Sequence, residues 1–140
     1  DFNRYYKKSI IKSKLRNNVF TTLNQIEKLN IDQSILSALE HKKLIKMIKY
    51  FKISHFFKYV HGVSNDEANG KMSEAKKLIS LINVDRKRIL LVGDTDHDSE
   101  VAKVLGIDCI LICSGHQSVK ILQKSSRKII NNLKEISKYL

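Results

Sequence analysis

Apolar residues along the chain follow two spacings that alternate with each other. Helical spacing is found at Val19, Phe20, Leu23, Ile26 and Leu29, which predicts a helix over about residues 17–29. The same spacing recurs at Leu44, Ile45, Ile48 and Phe51, and a further helix is predicted over about residues 73–83. Another helix is predicted to end near Gly106, the glycine expected to take the left-handed conformation that closes a helix.

Short apolar runs lie between these helices and predict strands. The runs are Gln33–Ser37, Tyr59–Gly62, Arg88–Val92 and Cys109–Cys113. A polar stretch over residues 64–71 has the composition of a loop, and a pair of weaker elements is predicted to continue to Leu140. Strands that alternate with helices are typical of an α/β fold with a largely parallel sheet.

Three carboxylates follow the strongest of these strands. The run ending at Val92 leads into Gly93 and then Asp94, Asp96 and Asp98, at the end of a strand where open α/β folds bind ligands. Clustered carboxylates repel one another unless a cation lies among them, and oxygen ligands suit Mg²⁺. The simpler interpretation is that Asp96 and Asp98 cap the next helix. Capping explains one carboxylate but not three, so the pattern predicts a magnesium site.

A resemblance to a known family rests on this segment. The motif comprises Gly93-Asp94-Thr95 with Asp98, Ala102 and Gly106. It resembles the fourth motif of haloacid dehalogenase superfamily phosphatases, in particular the phosphoglycolate phosphatase-like branch. The resemblance implies a Rossmann-like three-layer core and Mg²⁺-dependent hydrolysis of a small phosphorylated metabolite. It also implies that Asp94 binds Mg²⁺ directly and that Asp98 supports the metal and its waters.

Two further residues resemble the family's second and third motifs. The resemblance implies that the Ser37 hydroxyl and the neighbouring Ala38 amide hold the transferring phosphoryl group. It implies that Lys71 neutralises the nucleophile and the phosphate, so Lys71 is both a catalytic and a phosphate-binding candidate. Without the resemblance, Ser37 indicates only a turn or a cap, and Lys71 is one lysine among many. His116, in the loop over 114–118, is more typical of a loop histidine than of a catalytic base.

The family's first motif, an apolar strand ending in Asp-x-Asp, is missing from this sequence. Its first aspartate is the nucleophile and its second is the general acid and base. Asp94 and Asp96 have that spacing but follow the strand of the fourth motif. We therefore expect a carboxyl-terminal portion that is inactive alone, with residues 1–30 as the end of a helical cap and 31–140 as an incomplete core.

The absent strand is expected in the middle of the sheet, between the strand leading to Ser37 and the strand leading to Asp94. The chain would then need a complementary N-terminal segment. Because the resemblance assigns substrate choice to the cap, the phosphate ester stays open.

Composition indicates which other classes of protein are excluded. Hydrophobic residues make up 42% and charged residues 29%, as in a soluble globular protein. There is no apolar run long enough for a membrane span, and residues 1–6 do not look like a signal peptide, so a cytoplasmic location is expected. Cys109 and Cys113 lie in an apolar run and are interpreted as small hydrophobic residues, without a disulfide or zinc.

The net charge of +12 raises the alternative of a basic nucleic-acid-binding protein. Only five of the 26 basic residues are arginines, and the lysines are spread over many helix faces, which argues against that alternative. A non-catalytic α/β module that binds Mg²⁺ and phosphate is the other alternative. It would need a phospho-accepting aspartate at a separate strand end, and none is visible.

Overall fold

A computed structural model describes residues 18–64, 70–113, 117–125 and 127–140. Its helices are α1 (Val19–Lys28), α2 (His41–Tyr50), α3 (Gly70–Leu81), α4 (Asp96–Leu105) and α5 (Val119–Gln123). Its strands are β1 (Ser34–Glu40), β2 (Tyr59–Val63), β3 (Leu90–Gly93), β4 (Asp108–Ile112) and β5 (Lys128–Ile130). Short 3₁₀ helices span Ser54–Phe56, Arg86–Arg88 and Leu133–Tyr139.

The strands form two parallel sheets. One sheet pairs β1 with β2, and the other has the order β3-β4-β5. The α/β prediction with parallel strands is therefore confirmed. Both β1 and β3 lie at an edge of their sheets, and within the described ranges no strand pairs with their outer edges.

Side chains from both sheets share one apolar core. Leu36 of β1 and Leu91 of β3 pack against the same buried cluster, which α3 and α4 cover with Ala75, Val101 and Ala102. Helix α4 approaches the sheet closely at Ala102, which is small and completely buried. The two sheets are thus held side by side by the helices on this face.

Helix α1 lies on the opposite face and also contacts both sheets. Its Leu23 packs against the same buried cluster as Ile35 of β1, and its Ile26 packs against the cluster that contains Ile110 of β4. Whether residues 1–30 end a cap domain stays a prediction, because residues 1–17 lie outside the described ranges. In the described part of this segment, α1 packs directly on the core.

Several element boundaries differ from the predicted ones. The first strand was predicted to end at Ser37 but extends to Glu40, with its register to β2 shifting after Leu36. Gly62 of β2 permits this extension, since a Cβ there would lie 2.7 Å from the Leu39 carbonyl oxygen. The third helix was predicted over about 73–83 but spans Gly70–Leu81. It therefore begins three residues earlier and ends two residues earlier than predicted.

The third strand was predicted to begin at Arg88 but begins at Leu90. Residues Arg86–Arg88 form a 3₁₀ turn instead, because the Asp85 side chain accepts the Lys87 N–H at 3.0 Å and caps it. A pair of weaker elements was predicted toward the carboxyl terminus. The structure has three elements there: a helix, a strand and a 3₁₀ helix. α5 has only five residues and β5 only three, which is too short for a spacing to be recognised.

Two other predictions concern the cysteines, interpreted as free thiols, and the lack of a run long enough to span a membrane. Both cysteines are free, and burial raises the pKa of the Cys109 thiol to about 11. No helix within the described ranges has the length and apolar content needed to cross a bilayer.

A buried hydrogen bond joins β2 to α3. The Glu74 carboxylate lies 2.9 Å from His61 Nδ1 and accepts Lys77 Nζ at 3.2 Å. Burial raises the pKa of Glu74, but the hydrogen bonds from His61 and Lys77 outweigh burial and hold that pKa below its ordinary value of 4.5. Glu74 therefore stabilises the fold in its charged form.

We expect Glu74→Gln to lower the free energy of unfolding by about 1–2 kcal/mol at neutral pH. A carboxyl whose pKa is depressed by folding contributes its stabilisation above its unfolded pKa and loses it as pH falls through its folded pKa. The difference between the two proteins should therefore shrink below pH 4.5. Urea denaturation at several pH values measures it. Glu27→Gln, at an exposed position of α1, is the control. A pH-independent difference would contradict the assignment.

Candidate functional site

The acidic loop, defined as Asp94 to Asp98, begins where β3 ends and includes the first turn of α4. Thr95 is the N-cap of α4, and its hydroxyl and the Asp98 carboxylate accept each other's backbone N–H groups. This capping box corresponds to the Thr-x-x-Asp pattern in the sequence. The capping interpretation is thus right for Asp98, although it does not account for the other carboxylates.

Asp98 has the most buried carboxylate of the loop, with 1% of the residue exposed. Its Oδ2 accepts the backbone N–H of Asp94 at 2.9 Å and that of Thr95 at 3.2 Å. The Thr95 hydroxyl donates to the same oxygen at 3.2 Å, and Lys71 Nζ donates to Oδ1. Asp98 therefore organises the loop from within.

Asp98 is charged in this environment. Burial raises the pKa of its carboxyl, but the hydrogen bond and positive charge of Lys71 act in the opposite direction, helped by the N–H groups of Asp94 and Thr95. Together they hold the pKa of Asp98 below its ordinary value of 3.8. The ion pair between Lys71 and Asp98 is accordingly formed at neutral pH.

Gly93 permits this arrangement sterically. A Cβ at Gly93 would overlap the Cβ, Cγ and Oδ2 atoms of Asp98. The backbone at the end of β3 and the Asp98 carboxylate can therefore be adjacent only if residue 93 has no side chain. This close approach is the physical reason for the glycine in the Gly-Asp-Thr motif.

Lys71 and Ser37 occupy different positions relative to the loop. Lys71 is in the first turn of α3 and donates to Asp98, so the structure brings the third and fourth motif candidates into contact. Ser37 lies in β1, on the other sheet, where its hydroxyl accepts the Leu39 N–H at 3.1 Å. Its neighbour Ala38 is exposed, whereas Ser37 is half-buried. His116 lies outside the described residues.

Asp96 has a partner that the sequence did not reveal. Its backbone N–H donates to Gln117 Oε1 at 2.8 Å, and Gln117 Nε2 donates to Asp96 Oδ1 at 2.9 Å. No spacing or motif links two residues 21 positions apart. Gln117 therefore contacts the acidic loop, although the sequence indicated no more than that the loop over 114–118 is similar to the family's.

The donor set of the acidic loop is compatible with a magnesium ion. Mg²⁺ usually takes one or two protein carboxylates and keeps several waters. Three carboxylates and the Lys71 ammonium leave a formal charge of about −2 among these four side chains. Among the described residues there is no group of three His, Cys, Asp or Glu side chains that could by itself hold a metal. A Mg²⁺ ion held at this loop would therefore take most of its ligands from water and phosphate.

Comparison with known sequences identifies similar proteins. The haloacid dehalogenase-like hydrolase family model matches residues 1–112. Phosphoglycolate phosphatase of Pseudomonas savastanoi pv. phaseolicola is 20% identical over 119 residues, covering 82% of this chain and 43% of that protein. Tyrosine-protein kinase PtkA of Mycobacterium tuberculosis is 24% identical over 88 residues, covering 62% of this chain and 30% of that protein.

Solved structures with the same architecture are also found. A candidate phosphatase from Clostridium difficile superposes with a TM-score of 0.91 and 26% identity, covering 99% of this chain and 66% of that one. A haloacid dehalogenase-like hydrolase from Streptococcus pneumoniae superposes with a TM-score of 0.87 and 23% identity, with coverages of 99% and 66%. The Rossmann-like fold is confirmed. The chain spans less than half of the curated relatives' length and just under two thirds of these two structures.

Proposed function

Because the chain belongs to the haloacid dehalogenase-like hydrolase family, in its phosphoglycolate phosphatase-like branch, we propose that it supplies the metal- and phosphate-binding part of a Mg²⁺-dependent phosphomonoester hydrolase. The observation that carries the proposal is the contact between Lys71 and the acidic loop. It unites, through space, two motif candidates that are 27 residues apart in sequence.

The proposed roles follow from the positions of the side chains. Asp94 leaves the end of β3 as a half-buried carboxylate and is the direct ligand of Mg²⁺. Asp98 supports the metal by holding the loop backbone and Lys71 in place. Bound Mg²⁺ would supply charge stabilisation to the phosphoryl oxygens. The Lys71 ammonium adds a second positive charge beside the transferring group.

Ser37 and Ala38 are proposed to bind the phosphoryl group from the other sheet. The sequence placed Ser37 at the end of its strand, but both residues lie in the middle of β1, in the part where its register to β2 shifts. A hydroxyl and backbone N–H groups outside regular strand pairing can form an anion site. The substrate class proposed is a small phosphorylated metabolite.

The nucleophile is proposed to come from a strand placed between β1 and β3. Both strands lie at the edges of their sheets, and among the described residues no strand pairs with the outer edge of either one. Their side chains are mostly half-exposed, whereas β4, flanked by β3 and β5, is buried from Cys109 to Ile112. An apolar strand ending in Asp-x-Asp would pair with both edges and bring its first aspartate to Lys71 and the acidic loop.

Metal binding tests the proposal directly. We expect Mg²⁺ to raise the melting temperature of the wild-type chain, because oxygen ligands bind it only in the folded state. Asp94→Asn should abolish this rise, whereas Asp96→Asn should reduce it much less. Differential scanning fluorimetry over a Mg²⁺ titration measures both. An equal response of the Asp94→Asn and wild-type proteins would refute the metal assignment.

A further inference from the structure

The Gln117 side chain makes two hydrogen bonds to Asp96 of the acidic loop. Its side-chain oxygen accepts the Asp96 N–H at 2.8 Å, and its side-chain nitrogen donates to Asp96 Oδ1 at 2.9 Å. We call this pair of bonds the amide clasp. It joins the start of α4 to the segment between β4 and α5, two elements that are not adjacent in the chain.

The amide clasp satisfies groups that a helix start leaves unpaired. Asp96 is the first residue of α4, so its N–H has no partner within the helix. Only a side chain with both an acceptor and a donor can bind this N–H and the Asp96 carboxylate at once. The amide of Gln117 has both groups, and its fixed geometry defines where the Asp96 carboxylate lies.

Two carboxylates of the loop are held by different side chains. Asp98 is held by Lys71 and by the loop backbone, and Asp96 is held by Gln117. We propose that Gln117 is a positioning residue: by binding both the N–H and the carboxylate of Asp96, it fixes the start of α4 and, through it, the loop that carries Asp94, the proposed metal ligand. This inference rests on the proposed function and assigns a role to a residue outside the family motifs considered above.

Removing the clasp should weaken metal binding. Residues that orient metal ligands change affinity about 10- to 100-fold when they are substituted. We therefore expect Gln117→Ala to raise the Mg²⁺ dissociation constant about tenfold. Gln123→Ala, the same substitution at an exposed position of α5, should leave it unchanged.

A charge-neutral exchange distinguishes positioning from a general structural role. In Gln117→Glu, two carboxylates face each other across the clasp, and the loop should be displaced and Mg²⁺ binding weakened. In the double variant Asp96→Asn, Gln117→Glu, the asparagine amide can donate to the new carboxylate, which still accepts the residue 96 N–H. The exchange restores the bonding pattern and the net charge, so the dissociation constant should return to within about twofold of wild type.

Isothermal titration of Mg²⁺ into the wild-type chain and these variants is the experiment, with circular dichroism to confirm folding. Weakened binding in Gln117→Glu with recovery in the double variant supports the inference. Wild-type affinity in Gln117→Ala, or weakening that the double variant does not recover, overturns it while leaving the proposed function intact. Absence of Mg²⁺ binding in the wild-type chain overturns the proposed function, and the role of Gln117 falls with it.

Discussion

Replacing Asp98 with alanine is expected to lower the free energy of unfolding by about 3–5 kcal/mol, the range found when one partner of a buried ion pair is removed. The substitution leaves the Lys71 ammonium without its carboxylate and removes the acceptor of the Asp94 and Thr95 N–H groups. Folded domains are stable by about 5–15 kcal/mol, so this loss would be a large fraction of the total. Urea denaturation followed by circular dichroism measures it.

Two variants give this prediction its controls. Asp108→Ala changes an exposed aspartate at the start of β4 and should change stability by less than about 1 kcal/mol. Lys71→Met in the Asp98→Ala background should recover part of the loss, because it removes the half-buried ammonium that has lost its carboxylate. If Asp98→Ala and Asp108→Ala are equally stable, Asp98 does not organise the loop.

The second large effect concerns Lys71 in a catalytically complete protein. Once a strand carrying Asp-x-Asp is supplied, Lys71→Ala should reduce the rate of phosphate release about 100-fold or more, as expected when a charge that stabilises the transition state is lost. Lys71→Arg should retain more activity because it keeps the positive charge. Lys76→Ala, at an exposed position of the same helix, is the matched control and should have the wild-type rate. A rate for Lys71→Ala equal to that of Lys76→Ala would remove Lys71 from the site.

Much of the fold could be predicted because local signals and packing agree. The strand predicted over Cys109–Cys113 is shifted by one residue from β4, which spans Asp108–Ile112. The apolar residues of β4 are buried on both faces of the sheet. Gly106 has a φ of 69°, the left-handed conformation predicted for the residue that ends α4. In these segments a short-range pattern and the tertiary environment require the same residues.

The remaining features depend on contacts that no local pattern contains. β1 extends beyond Ser37 because Gly62, on another strand, allows the chain around Leu39 to come close. The amide clasp joins Asp96 to Gln117 through space, and either residue alone looks like an ordinary polar position. Lys71 could be selected only through the family resemblance, since the sequence contains many lysines and its distinguishing property is its contact with Asp98.

The most direct measurement is phosphate release from a generic aryl phosphate, by the chain alone and by a fusion that adds an apolar strand ending in Asp-x-Asp. We expect no turnover by the 140-residue chain and Mg²⁺-dependent turnover by the fusion. The fusion's turnover should be lost when the first aspartate of the added Asp-x-Asp is replaced by asparagine. Robust turnover by the 140-residue chain alone, persisting in Asp94→Asn, would show that the chemistry lies elsewhere.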